Sequence, residues 1–320
     1  KDLIMITIER KKELNEMVEE QAFRGEVYKT LTMEEGYYMH EQAKKMSSQF
    51  AADDKEGAKF KLKADFFYSL IIEKIKGLDA FYVLYFAPTN MPFACCHPET
   101  LDDMAQLYTT EDKITGAVKK LQEEKIPVQA VKVENKQYLS FFSTMFYIGI
   151  NALLINPDEE SILIQIDKIC NKPDWEHMEN KAAAVANPGF QLTSMYFMQE
   201  LKKPGDLKDK KEIPPLENEL MAHLVRGTYL VPIVGTPSKD APLQIPFLQN
   251  KDKEVFLPAF TDLNEFRKYN PEMKYNAAIF SFGKLAGSVT ENIKGLVINP
   301  MSNNIILPKE QLQRIIKQYQ

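Results

Sequence analysis

The chain is poor in the residues that usually carry chemistry. Over 320 residues it has three cysteines (Cys95, Cys96 and Cys170), four histidines and one tryptophan, Trp175. So few thiols, and an odd number of them, exclude a disulfide framework and suit a reducing compartment. There is no phosphate-binding loop, no Gly-rich dinucleotide fingerprint, no His-Glu-x-x-His pair and no Gly-x-Ser-x-Gly elbow, which removes the commonest enzyme signatures. Basic charge is not in surplus: 40 Lys and Arg stand against 45 Asp and Glu, a net charge of −5. That argues against a globally basic nucleic-acid binder, and no nucleic-acid partner is expected. The apolar run at 3–8, closed by Glu9-Arg10-Lys11-Lys12, is short for a secretory leader and meets no small-residue cleavage site. The cytoplasm is the expected compartment.

What is present is an ordinary globular composition, 44% hydrophobic and 27% charged. It excludes a disordered chain, a collagen-like chain and a polytopic membrane protein. The length allows two domains of about 150 residues each. One segment invites a membrane reading, because 138–155 runs 18 residues without a charge, at the lower edge of a spanning helix. Ser140, Ser143, Thr144 and Asn151 interrupt it.

An internal repeat answers that question. Leu153-Leu154-Ile155-Asn156-Pro157 returns 143 residues later as Leu296-Val297-Ile298-Asn299-Pro300. Neighbouring features follow in the same order, as a repeat requires. Residues 81–86 correspond to 229–234, Met91-Pro92-Phe93 to Ile245-Pro246-Phe247, and Leu107-Tyr108-Thr109-Thr110 to Ala259-Phe260-Thr261-Asp262. A strand-like run at 128–133 or 277–282 then precedes a helix and the Asn-Pro strand. The counterpart of 138–149 lies within 282–294, where Lys284, Glu291 and Lys294 make an ordinary amphipathic helix. The uncharged run therefore reads as helix, Gly/Asn break and buried strand, with no membrane span. Its Phe141, Phe142, Met145 and Phe146 spread over more than one helical face, so something must cover them. The candidates are the N-terminal helices, a second copy or a protein partner.

Helical spacing of Leu14, Met17, Val18 and Gln21, and of Met33, Tyr37, His40 and Ala43, predicts helices over 9–22 and 33–50. The expected division is an N-terminal helical extension over 1–60, a first repeat over 61–170, a partly helical connector over 171–215 and a second repeat over 216–320. Within the connector Pro173, Pro188-Gly189, Pro204-Gly205 and Pro214-Pro215 are breakers. Residues 181–186 and 192–201 read as helices, and the charged stretch 202–211 reads as a flexible linker.

The second repeat carries TYLVPIVG at 228–235, LQIPFLQNKDKEVFLPAFTDLNEFRKY at 243–269, IKGLVINP at 293–300 and IILPKEQLQRI at 305–315. In that order these segments resemble the N-terminal domain of the SseB-like family, over about 220–316. The first repeat, about 66–170, looks like a divergent copy. It lacks the Val-Pro and has Leu-Tyr-Thr-Thr where the family has Ala-Phe-Thr-Asp. The resemblance implies a mixed α/β (α+β) fold of bacterial type, with two related SseB-like domains in tandem. It implies no catalytic residues.

The marked turn Phe260-Thr261-Asp262 has two readings. Asp262-Leu263-Asn264-Glu265 fits a capping box with Phe260 in the core, and the same residues fit a polar loop facing a ligand or partner. Asn156 and Asn299, each before a proline, are expected to end their strands in extended geometry. Cys95-Cys96-His97 is too tightly spaced for a mononuclear zinc site, and adjacent strand residues point to opposite faces. No metal and no cofactor is expected. His177 sits near Asp174 and Glu176, but no motif ties a Ser or Cys nucleophile to it. No catalytic residue is assigned, which weighs against an enzyme.

The expected function is that of a non-catalytic protein-binding or scaffold protein, with a protein partner or a homo-oligomer. Its candidate binding residues are Phe260, Thr261, Asp262, Phe141, Phe142, Met145 and Phe146. The alternative is a small-ligand binder or enzyme using a cleft between the repeats. An accessory role in a secretion or toxin-immunity system follows from the family name alone.

Overall fold

The computed structural model describes residues 6–20, 22–157, 161–236 and 243–319. Helices come first. Thr7 accepts from the Arg10 amide to cap α1 (Ile8–Glu19), the short α2 (Gly25–Tyr28) follows, and a Thr32–Glu35 capping box starts α3 (Met33–Ser47). Asp54 caps the long α4 (Lys55–Lys76). These helices bury Leu14, Val18, Tyr28, Met39, Ala43 and Phe67 among themselves. Gln21, expected on the first of them, lies outside the described residues. The Lys63 ammonium donates to the Val18 carbonyl at 2.6 Å, satisfying an orphan carbonyl at the end of α1.

The next elements are β1 (Ala80–Phe86), β2 (Met91–Pro92), β3 (Ala94–Cys96), β4 (Asp103–Tyr108), α5 (Glu111–Glu123), β5 (Val128–Glu134), α6 (Tyr138–Tyr147), β6 (Ala152–Ile155) and β7 (Ile162–Gln165). The sheet runs β5-β1-β4-β6-β7. Its β5/β1, β1/β4 and β6/β7 pairs are antiparallel, while β4 and β6 are parallel. Ile71, Ile72 and Ile75 of α4 pack on it, together with α6.

The chain continues as α7 (Pro188–Lys202), α8 (Ile213–Arg226), β8 (Thr228–Ile233), β9 (Leu248–Gln249), β10 (Val255–Ala259), α9 (Leu263–Tyr269), β11 (Asn276–Ser281), α10 (Phe282–Gly287), β12 (Gly295–Ile298), β13 (Ile305–Pro308) and α11 (Lys309–Tyr319). Here β11 pairs antiparallel with β8, β10 is parallel to β12, and β12 is antiparallel to β13. Leu230 and Phe260 exchange two backbone hydrogen bonds at 2.9 Å, which link β8 to β10. The order β11-β8-β10-β12-β13 thus has the same senses as β5-β1-β4-β6-β7. The protein is a mixed α/β fold.

The connector is more ordered than its composition suggests. Residues 181–184 form turns held by the Asn180 side chain rather than a helix. Six residues before Pro188 are too few to repay helix nucleation. The stretch read as a flexible linker is pinned by Lys210, whose ammonium donates to the carbonyls of Glu200, Leu201 and Lys203 at the end of α7. Its side chain is buried there. A cation at a helix C-terminus is also favoured by the helix dipole.

Helix α7 lies between the two sheets. Met195, Leu192 and Tyr196 join the first core, and Phe190, Phe197 and Met198 join the second. Gln199 exchanges two hydrogen bonds of 2.9 Å with the Ala94 backbone. Gly149 makes the approach of α6 possible. It has φ +82°, and a Cβ there would meet the Pro188 carbonyl oxygen at 2.7 Å. Among the described residues no helix is long and apolar enough to cross a membrane.

Candidate functional site

The parallel pair of each sheet ends in an Asn that reaches back to a Thr. In the first sheet the Asn156 amide donates to the Leu107 carbonyl at 2.8 Å, extending the ladder by one bond. Asn156 Oδ1 accepts from the Thr109 amide at 3.0 Å, and Nδ2 donates to Thr109 Oγ1 at 3.1 Å. In the second sheet the Asn299 amide donates to the Ala259 carbonyl at 3.0 Å. Asn299 Oδ1 accepts from the Thr261 amide at 3.0 Å, and Nδ2 donates to Thr261 Oγ1 at 2.9 Å. Both asparagines have positive φ, +48° and +50°, so the expected extended geometry is corrected. Asn tolerates the left-handed region, and its fixed side chain holds it there against the bias of the following proline.

What covers the two clasps differs. Beyond the second, Asp262 caps α9 by accepting from the Asn264 and Glu265 amides at 2.9 and 3.1 Å. Its other oxygen accepts from Thr261 Oγ1 at 2.8 Å and from Gln191 Nε2 at 3.1 Å. Gln191 Oε1 in turn accepts from Asn303 Nδ2 at 3.3 Å. Asp262, Gln191, Ser194 and Asn303 are each at most 1% exposed, so this strand end is filled. Burial, joined by the nearby Glu265 charge, pushes the Asp262 carboxyl above the usual carboxylate range despite the donors around it.

Beyond the first clasp lies a cavity of about 1010 Å³. It sits outside the carboxyl ends of parallel β4 and β6, the place where open α/β sheets take ligands. One wall is a single face of α5, formed by Lys113, Gly116, Ala117, Lys120, Leu121 and Glu124. The opposite wall is the start of α1 and α3, with Ile6, Thr7, Arg10, Glu34 and Glu35, and the floor includes Gln106, Tyr108 and Asn156. Glu34 accepts from Asn156 Nδ2 at 3.2 Å and from Lys113 Nζ at 3.4 Å, tying the N-terminal helices to the strand end. Arg10 donates to Glu35 at 2.6 Å and to Glu13 at 2.7 Å. Burial would raise the Glu35 carboxyl, but Arg10 and the Thr32 amide hold it below the usual range. The described wall residues include no His, Cys or Ser, and Arg10, Glu34, Glu35 and Lys113 are already paired.

The residues marked in the sequence fall elsewhere. Phe260, Thr261 and Asp262 are buried, and Phe260 packs against Phe266 and Tyr269. Phe142, Met145 and Phe146 are buried too, so they offer no surface to a partner, and Phe141 is partly buried against them. Phe142 stacks on Phe81 of β1 at 5.5 Å, while α4 and α7 supply the rest of the cover. The apolar excess on α6 is therefore met by two helices and a sheet of the same chain. Trp175 packs edge-on against Tyr147 at 5.5 Å, and His177 lies exposed beside Asp174 at 2.9 Å. His97 Nδ1 accepts from the Glu99 and Thr100 amides within a turn, while burial pushes the Cys95 thiol up. Among the described residues no group of three His, Cys, Asp or Glu is placed to hold a metal. Sequence reasoning missed Glu34 and the α5 face, although the Lys113, Gly116, Ala117, Lys120, Leu121 spacing was there to be read.

Residues 211–314 match the SseB protein N-terminal domain, about a third of the chain, running from the start of α8 into α11. No curated protein matches the chain. Among solved structures, Anabaena Tic22 (protein transport) aligns over 78% of this chain and 97% of that one, at 11% identity and a TM-score of 0.19. A likeness at that level carries no argument.

Proposed function

We propose that this chain is a non-catalytic, SseB-like binding protein made of two related α/β halves, and that the first half holds the binding site. The second half serves as framework, with its strand end closed by α7. The observation that carries this reading is the contrast between equivalent strand ends, one filled by Gln191, Ser194 and Asn303 and the other open to a cavity of about 1010 Å³. That volume is at the top of the range for small-molecule pockets, about 300–1,000 Å³. It accommodates a short polypeptide segment with apolar side chains against Ala117, Leu121 and Pro157. Lys120 and Glu124 stand at the rim for polar contacts. A polypeptide is the partner favoured here.

The test is a peptide-array screen of the full chain beside Gly116→Trp. Gly116 is exposed on the cavity face of α5, and a Cβ there meets nothing within 4 Å, so the indole projects into the cavity and obstructs its α5 wall without disturbing the core. The expected result is a set of peptides bound by the parent and lost in Gly116→Trp, with unchanged circular dichroism. Peptides retained by the obstructed variant would place the site elsewhere. A parent that binds no peptide but does bind small amphipathic fragments by ligand-observed NMR would replace the polypeptide with a small molecule.

A further inference from the structure

We infer that two copies of this chain associate through β11, pairing antiparallel along its free edge. An outer strand presents unpaired amides and carbonyls to any other strand, and folded proteins usually blunt such edges. Apart from the two- and three-residue strands β2, β3 and β9, the two linked sheets end in β5, β7, β11 and β13, and three of these four are blunted.

In β7 the Ile166 amide bonds the Asn151 carbonyl, which sends the Leu163 and Gln165 amides outward. The Tyr37 hydroxyl takes the first and the Tyr68 hydroxyl the second, the latter at 3.2 Å. In β13 the Lys309 amide bonds the Lys294 carbonyl, so the outward positions are Ile306 and Pro308. Proline has no amide to present. In β5 the Gln137 side chain takes the outward Glu134 amide at 2.9 Å, and Gln122 donates to the Val128 carbonyl at 3.0 Å. Lys132 stands exposed midway along that strand.

Nothing comparable protects β11. The Phe282 amide bonds the Gly227 carbonyl, which places the inward bonds on Asn276, Ala278 and Phe280. The exchange between Leu230 and Phe260 on the far side of β8 requires the same parity. Ala277 and Ile279 then face outward, and their outward backbone groups meet no partner among the described residues. No charge occurs from Tyr275 to Gly283, and the Ile279 side chain is 42% exposed.

A second copy suits this edge because antiparallel self-pairing sets a sequence against its own reverse about a two-fold axis. A charge in the middle of such a strand, like Lys132 on β5, comes close to its twin. On β11 there is none to oppose. The flanking charges are already engaged, Lys274 with Glu272 at 2.6 Å and Lys284 over the Phe280 ring at 3.9 Å. Pairing about Ala278 sets Ala277 of each copy against Ile279 of the other, completes two hydrogen-bonded pairs and covers both isoleucines.

Sedimentation equilibrium of the full chain, run over a concentration series beside Ile279→Lys, tests this. Ile279 is exposed, so the variant keeps its fold, which its thermal midpoint checks. The parent is expected to be a dimer, and Ile279→Lys to dissociate about threefold or more readily, because the two lysines lie diagonally across the seam on one face of the sheet. Mixing Ile279→Lys with Ile279→Glu is expected to restore the dimer, and Lys132→Ala on β5 to leave it unchanged. A parent that stays monomeric, or an Ile279→Lys dimer of unaltered affinity, overturns the proposal. So does a monomeric parent whose β11 edge instead takes up a strand of another polypeptide. The cavity variant Gly116→Trp is expected to dimerise like the parent, so failure here leaves the binding site untouched.

Discussion

At the first sheet Thr109 and Asn156 line a cavity, whereas at the second Asp262, next to Thr261, is bonded to Gln191, which with Ser194 holds Asn303. The clasp has the same two Asn–Thr bonds in both. The difference lies in what is laid over it. At one end an Asp-capped helix and the side chains of α7 exclude water. At the other a Thr-capped helix stands apart from α1 and α3. A strand-end motif therefore secures the backbone and leaves occupancy to the elements that dock on it.

Removing each clasp gives the largest expected contrast. Asn299→Ala strands a fully buried Thr261 amide and puts Ala at φ +50°, a loss of about 3 kcal/mol. Asn156→Ala is expected to cost about 1.5 kcal/mol, since water from the cavity reaches Thr109. Urea unfolding measures both, and equal losses would break the distinction between a closed and an open end. Gln191→Ala comes next, at about 2 kcal/mol, because Asp262 and Asn303 each lose a buried partner.

The two ends also respond to pH with opposite sign. Asp262 holds its proton more tightly folded than unfolded, so its contribution falls as pH rises from the ordinary value of 3.8 toward the raised folded one. Glu35 is held below its ordinary 4.5, so its contribution is present above that value and is lost as pH falls through the folded one. Unfolding free energy measured from pH 3 to 7 should lose the first slope in Asp262→Asn and the second in Glu35→Gln. At neutral pH Glu35→Gln is expected to cost only about 1 kcal/mol, because Arg10 is partly exposed and its pairing is screened. The smallest change is Gly116→Ala, expected to add about 0.5–1 kcal/mol through helix propensity alone. A loss there would mean that the cavity face of α5 is packed.

Much of this architecture was legible because it rests on local rules. The apolar runs at 81–86 and 229–234 and the two Asn-Pro strands fall on β1, β8, β6 and β12, and the Asp262 cap follows from its position before Leu263 and Glu265. The mixed α/β fold was implied by the resemblance of the segments from 228 to 315 to the SseB domain, which residues 211–314 match. The burial of Phe142, Met145 and Phe146 was not legible, because composition reports that α6 is apolar without reporting what lies against it. Phe142 meets Phe81, and Phe146 joins a core that takes in Ile71 and Met195, far away in sequence. The cavity was invisible for the same reason, since Glu34 reaches Asn156 across 122 positions. Lys210 misled in the opposite way. Its charge marked a linker, but its ammonium serves the carbonyls of α7.

The region matching the SseB domain begins at residue 211 and so leaves out α7. Phe190 of that helix fills the second core, and Gln191 closes the second strand end, while Met195 and Gln199 of the same helix are committed to the first sheet. No cut through the connector gives both fragments what they need. One or the other is left with an apolar trench where a helix had been. The halves are expected to melt together in one cooperative transition, and a fragment limited to the matched region to behave as a loosely packed, aggregation-prone remnant rather than a free-standing domain.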